Sequence, residues 1–155
     1  MSHEALSALF AFLHHGAAFT LFAALMVERV LTRDELTVAN ARRIVTSDLV
    51  FGITAAAVLV VGFLRVVYFE KGPEYYLHSA PFIAKLAFFA IVGLLSIYPT
   101  VEFLKWRKPL RDGMLPLVSA EKMQTIRTLI RFETGGVMLV ILCAALMARG
   151  IGYFG

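Results

Sequence analysis

Long apolar runs alternate with short polar breaks along this chain, and the length of the runs decides the fold. Four of them, at about residues 4–30, 47–69, 81–104 and 126–149, come near or above the ~20 residues with which an α-helix crosses ~30 Å of hydrocarbon. The breaks between them are short, so consecutive helices should be antiparallel neighbours. The pattern predicts an all-α fold, an integral membrane four-helix up-and-down bundle, as one domain over residues 1–155. The chain shows no internal repeat and no low-complexity tract.

The polar breaks carry signals of their own. Thr32-Arg33-Asp34-Glu35 fits a capping box, in which the hydroxyl and the carboxylate each satisfy a backbone N–H. It predicts a short helix on the membrane surface over residues 33–45, with Arg42 and Arg43 meeting lipid phosphates. Glu70, Lys71, Gly72, Pro73 and Glu74 read as a wet turn behind a helix that ends at Phe69. Pro81 suits a first helical turn, where its missing N–H is not needed. Pro99 should remove one hydrogen bond near the other end of the same span and bend it. A basic loop at residues 105–118, with Gly113 and Pro116, precedes a last helix opening near Ser119. Gly52 with Ala56, and Ala144 with Ala148, are small residues four apart, spaced to let helices approach closely.

Composition agrees: 59% of the 155 residues are apolar and 17% charged, against roughly 45–50% apolar in soluble domains. The formal charge of +4 belongs to residues that flank spans, so topology explains it and nucleic acid is not an expected partner. Of the fifteen Lys and Arg residues, eleven fall at one set of span ends; Arg65, Lys71, Lys85 and Arg149 fall at the other. Positive-inside then places both termini and the 70–80 loop outside, periplasmic or extracellular, and the two basic loops in the cytoplasm. Tyr75, Tyr76 and Tyr153 would mark the outer interface and Trp106 the inner one. The first segment lacks a basic start and a small-residue cleavage pattern, and reads as a retained span. The single cysteine, Cys143, lies within a span as a buried small hydrophobe.

Ionisable groups inside the spans are the candidates for chemistry, because lipid makes them costly. His14 and His15 lie ~15 Å into the first span at ~1.5 Å per residue, near the bilayer midplane. Adjacent helical residues point ~100° apart, so the two cannot serve one site. His14 shares a face with Ser7, Leu21, Leu25 and Glu28 and is expected to face the interior; His15 shares a greasier face with Phe19, Phe22 and Met26. Arg65 and Lys85 each sit about one turn, ~6 Å, inside the same water boundary. A haem in the outer leaflet would set its iron near His14 and its propionates toward Arg65 and Lys85. Its second axial ligand is open: Met138 lies at the depth of His14 and His78 could dip in from the loop. Five-coordinate iron and a haem shared between two chains are the other arrangements. Plainer roles stand beside these. His14 can be a neutral imidazole bonded to a neighbouring helix, Arg65 and Lys85 can snorkel or pair with Glu70 and Glu74, and His78 can be a loop histidine.

Each span also brings one carboxylate toward the basic end: Glu28, Asp48, Glu102 and Glu133. Four such carboxylates can bind two metals, but those sites also use Glu-x-x-His motifs, which this sequence lacks. With Arg29, Arg43, Arg127 and Arg131 nearby, a salt-bridge layer is expected. There is no Gly-rich phosphate loop, Cys-x-x-Cys or His-Glu-x-x-His, and no convincing nucleophile triad.

The strings RVVYFEKG, YYLH, PFIAKL and GLLSIYPT, with LHH in the first span and ALMARGIGY at the end, resemble a family of small bacterial four-span membrane proteins. That family is described as a domain of unknown function, and the resemblance covers nearly the whole chain. More distantly, the pattern is similar to the four-span protoporphyrinogen oxidases and the copper-resistance D membrane domains. The oxidases are taken to bind haem b. By that likeness His14 matches the span-one histidine and Lys85 the lysine of a Lys-Leu motif; two residues before that lysine the oxidase pattern has histidine, where this chain has Ile83.

Three functions follow as expectations. The first is a small inner-membrane haem-b-binding redox protein, His14 ligating the iron, with cofactor contacts drawn from Arg65, Lys85, His15, Met138 and His78. The second is a non-catalytic accessory or assembly subunit of a larger membrane complex, without cofactor. The third is a small metal or solute transporter, for which Met26, Met138, Met147 and the histidines are the only soft ligands. The lipid bilayer is the expected partner, with a homodimer or other membrane-complex subunits.

Overall fold

Short polar side chains open three of the long helices by standing in for missing backbone partners. The hydroxyl of Ser2 accepts from the Ala5 N–H at 3.2 Å, that of Thr37 from Asn40 at 3.1 Å, and that of Ser119 from Lys122 at 3.3 Å. In the computed structural model, which describes residues 2–155, these caps start α1 (His3–Leu31), α2 (Val38–Leu64) and α5 (Ala120–Ala148). The end of α2 widens into a π-helical turn, Arg65–Phe69. A five-residue helix α3 (Pro73–Leu77) follows, and then α4 (Ala80–Arg111) with Pro81 in its first turn. Among the described residues there is no strand beyond a single bridge, Ser79 to Tyr153. The four long helices are each long and apolar enough to cross a membrane, and they pack as a bundle.

Two boundaries differ from the sequence expectation. Thr32 does not open a surface helix: its hydroxyl donates back to the Glu28 carbonyl at 2.7 Å and closes α1. Capping passes to Thr37, so α2 runs unbroken from Val38 and residues 33–45 form no separate helix. Arg42 accordingly reaches protein, donating to the Leu110 carbonyl at 2.8 Å at the last turn of α4. The second difference is α4, which continues through Pro99 and Pro109 to Arg111 and shortens the basic loop to residues 112–119. Pro99 is fully buried there, and next to it the Thr100 hydroxyl donates to Asp48 Oδ1 at 2.6 Å, tying α4 to α2. The 70–74 turn also holds more structure than expected, since Pro73 and Glu74 begin α3.

Both termini and α3 gather at one end of the bundle, the terminal end; the turn after α1 and the loop after α4 form the far end. Burial is uneven between them. Leu21, Leu25, Ile44, Phe51, Phe103, Ile126 and Ile130 build a dry core in the far half. In the terminal half no residue of α1 before Leu21, and none of α2 and its π turn after Phe51, is fully buried. Trp106 belongs to the core and is not an interfacial anchor: it is 3% exposed, its ring 4.8 Å from that of Phe103. Tyr76 is likewise buried, while Tyr75 stacks on Tyr153 at 4.6 Å. The tail is held down by backbone bonds from Ala80 N–H to the Gly152 carbonyl and from Phe154 N–H to the His78 carbonyl, both 3.0 Å. Gly152 is needed there: φ is +80° and a Cβ would lie 2.8 Å from Pro81 Cδ.

Candidate functional site

The inward face of α1 carries Leu21, Leu25 and Glu28, and His14 lies on that face two turns nearer the terminal end. Its ring is half-buried against α2, where Gly62 leaves room for it. The Nδ1 atom is fully buried and makes no hydrogen bond of normal geometry, but the Val58 backbone, one turn from Gly62 on α2, bears on the ring as a weak partner. The charges of Arg65, on the π turn, and Lys85, one turn into α4, both bear on this imidazole. His15 points away, exposed, with Nδ1 2.7 Å from the Ala11 carbonyl of its own helix. The two rings meet edge to face at 5.9 Å.

A polar chain continues from Arg65 toward water. Its guanidinium pairs with Glu70 at 2.5 Å, and the Tyr76 hydroxyl donates to the other Glu70 oxygen at 3.2 Å. Burial of Tyr76, the negative charge of Glu70 and that hydrogen bond together push the phenol up to about 12. Lys85 has no carboxylate within ion-pair distance among the described residues; its Nζ lies 5.1 Å from the centre of the Phe82 ring. Glu74 makes no ion pair there either. His78 stays on the surface, Nδ1 2.8 Å from the Glu74 carbonyl and its ring beside Phe154. Met138 is 52% exposed on the outward side of α5, whereas its neighbour Val137 is buried. The structure thus gathers His14, Arg65 and Lys85, and leaves His15, His78 and Met138 outside the group.

The carboxylates at the other end do not form the expected salt-bridge layer. Only Glu102 pairs with cations, Lys105 at 2.5 Å and Lys122 at 3.5 Å. Glu28 and Glu133 are 2% and 1% exposed, each with a buried oxygen that has no partner. The charges of Asp48 and Glu133 bear on Glu28, so three acidic side chains crowd the core without a countercation in contact. None of Arg29, Arg43, Arg127 and Arg131 makes an ion pair among the described residues, and Arg127 donates through Nε to the Thr32 carbonyl at 2.6 Å. Among the described residues no three His, Cys, Asp or Glu side chains are placed to hold a metal ion.

A family model described as Predicted membrane protein (DUF2214) matches residues 6–152. The chain belongs to that family. No curated protein and no solved structure matches it, so the likeness to the oxidases and copper-resistance D domains stays an expectation.

In this DUF2214 chain the small residues read from the sequence as helix contacts are mostly not contacts. A Cβ on Gly52 would meet nothing within 4 Å, and Gly52 and Ala56 line an open cleft of about 380 Å³ between α2 and α4, with Asp48, Thr100 and Arg107 among its other walls. The close approaches are at Gly62, under His14, and at Gly136, where a Cβ would lie 2.5 Å from Val92 Cγ2. Neither glycine stood out in the sequence. The signal available was that each is a lone gap on a helix face opposite a bulky side chain, which becomes visible only once the helices are paired.

Proposed function

We propose that this DUF2214 protein is a haem-b-binding redox protein of the bacterial inner membrane, with His14 on the iron and Arg65 and Lys85 near the propionates. The observation that carries the reading is His14 itself, an imidazole on the inward face of α1 within reach of the charges of Arg65 and Lys85, in the half of the bundle where α1 and α2 bury no residue fully. Nδ1 lies against Gly62 on α2, so Nε2 is the nitrogen left to meet an iron. Bound haem b would supply one-electron transfer at its iron. The chain's own contribution is to hold one imidazole near the middle of the bilayer, with Gly62 setting how far it can lean on α2. Lys85 brings an ammonium with no carboxylate partner, and Arg65, which gives one of its five N–H donors to Glu70, has others to offer. With Met138, His15 and His78 directed elsewhere, His14 is the one of these side chains that would hold the iron. The excess of Lys and Arg at the far end supports a topology with both termini periplasmic.

Detergent-purified protein from cells supplied with haem should show a Soret band that H14A abolishes and that R65Q/K85Q weakens. A colourless wild-type protein, or a band untouched by H14A, rejects the reading.

A second reading, a subunit of a larger membrane complex, is favoured by the cleft between α2 and α4. Its Gly52 and Ala56 wall is smooth enough to take another helix. It predicts a stoichiometric partner retained in mild detergent and lost on G52L or A56L, with no Soret band.

A further inference from the structure

At the far end, residues of α1, the turn after it and α5 surround a cavity of about 200 Å³ lined by Arg29, Thr32, Arg33, Gln124, Arg127 and Arg131. Four of these six are arginines, and none of the six is acidic. Like charges so close repel one another, and they need either carboxylates or an anion between them. Carboxylates are not in place. The ion pairs among the described residues are Arg65–Glu70, Lys105–Glu102 and Lys122–Glu102, and none involves a lining arginine.

The cavity is held in shape by the bond from Arg127 Nε to the Thr32 carbonyl, which ties α5 to the end of α1 and fixes one guanidinium plane. That bond leaves the two NH₂ groups of Arg127 for another acceptor. The carbonyl is in turn anchored, because the Thr32 side chain is locked to the Glu28 carbonyl. The space equals several water molecules at ~30 Å³ each, enough for a phosphate group and too little for a large headgroup. Guanidinium and phosphate suit each other through paired, charge-assisted N–H···O bonds. The position fits as well. Helices of 29 residues such as α1 and α5 reach ~44 Å, beyond ~30 Å of hydrocarbon, so their ends enter the layer where lipid phosphates lie.

We propose that this cavity binds a phosphate group, carried either by an anionic lipid headgroup or by a soluble phosphate. It is separate from the His14 group and does not depend on the haem reading.

The test uses the full chain in mild detergent and follows thermal unfolding by circular dichroism. One arm titrates dioleoyl-phosphatidylglycerol into dioleoyl-phosphatidylcholine mixed micelles; the other compares sodium phosphate with sodium chloride at equal ionic strength. One of the two additions should raise Tm, and which one does so names the source. R33Q/R131Q, which removes two exposed lining cations, should need roughly tenfold more of it for half-saturation. The charge-matched control K108Q/R111Q, at the same end but outside the cavity, should behave as wild type. Should R33Q/R131Q not fold, R33K/R131K keeps the charge, loses the paired geometry and should weaken binding by a smaller factor. The proposal is overturned if neither addition raises Tm, or if the control loses as much as the cavity variants.

Discussion

The imidazole of His14 rests on Gly62 so closely that a methyl carbon at position 62 would lie 3.0 Å from its Cε1 and 3.3 Å from its Nδ1. The contact touches the buried Nδ1, so the glycine governs where the candidate ligand can point. In G62A, helix propensity favours alanine by about 1 kcal/mol, and the steric contact opposes it. Net stability should therefore change little while the ring moves. In protein labelled with ¹⁵N-histidine, the His14 imidazole signals should shift and those of His78 should not. Unchanged His14 signals would show that the ring is not set by this contact.

Val92 and Gly136 form the corresponding contact between α4 and α5, and it is tighter. An added Cβ at 136 would stand 2.5 Å from Val92 Cγ2, and Val92 is buried, so the valine has little room to yield. G136A should destabilise by about 1–3 kcal/mol, the usual cost of overpacking. Truncating the valine in the same chain should recover much of that loss, although V92A alone is destabilising. Thermal melts of the four proteins in the cycle decide it. A strictly additive result would mean that the two residues do not press on each other.

Much of the bundle was legible because lipid imposes one rule, a long uninterrupted apolar helix, and four runs of that length leave few alternatives. The ends of α5 were legible for a related reason, since Ser119 and Arg149 have the polar chemistry of helix termini. Thr32 was misread because the same residue type serves two ends. Its hydroxyl can cap a following helix or donate back to the carbonyl four residues earlier, and only the structure shows the second. Pro99 was expected to bend its span and the loop was expected from residue 105, yet α4 runs on through Pro99 and Pro109 to Arg111, because an inserted proline costs local bonds that packing can outweigh. The inward direction of His14 followed from the face it shares with Leu21 and Leu25. The outward direction of Met138 did not, because in an apolar span a methionine facing lipid and one facing the core have the same neighbours. The failure of the salt-bridge layer had the same origin: charge counting gives depth, and depth does not say which arginine turns toward which carboxylate.

Glu133 provides the test of that layer. It is buried near Asp48 and Glu28 with no cation in contact, so an ionised carboxylate there is costly. E133Q replaces this acid by an amide that cannot ionise, at nearly constant volume, and should raise stability by about 1 kcal/mol, or ~2–4 °C in Tm for a chain of this size. E133A removes the bulk as well and leaves a cavity, so it should lower Tm. Opposite signs for the two substitutions are expected. A fall in E133Q as large as that in E133A would mean the carboxylate has a partner.

Tyr76 gives the pH dependence. It lies on α3, outside the spans, and its hydroxyl donates to Glu70 while Arg65 holds the opposite oxygen of that carboxylate. Burial first, and the neighbouring negative charge next, raise its phenol from 10.0 to about 12. In the unfolded chain the proton leaves near 10, and in the folded protein it is still bound there. The stabilisation from this group is therefore complete below pH 10 and is lost as pH rises from 10 toward 12. Y76F cannot titrate. It should melt somewhat below wild type at neutral pH, by about 1 kcal/mol for the missing hydrogen bond, yet lose less stability than wild type between pH 10 and 12. Difference absorbance at 295 nm, wild type minus Y76F, should place the missing phenol's transition near 12. A transition near 10, or parallel loss of stability in both proteins, would mean that Tyr76 is not enclosed with Glu70.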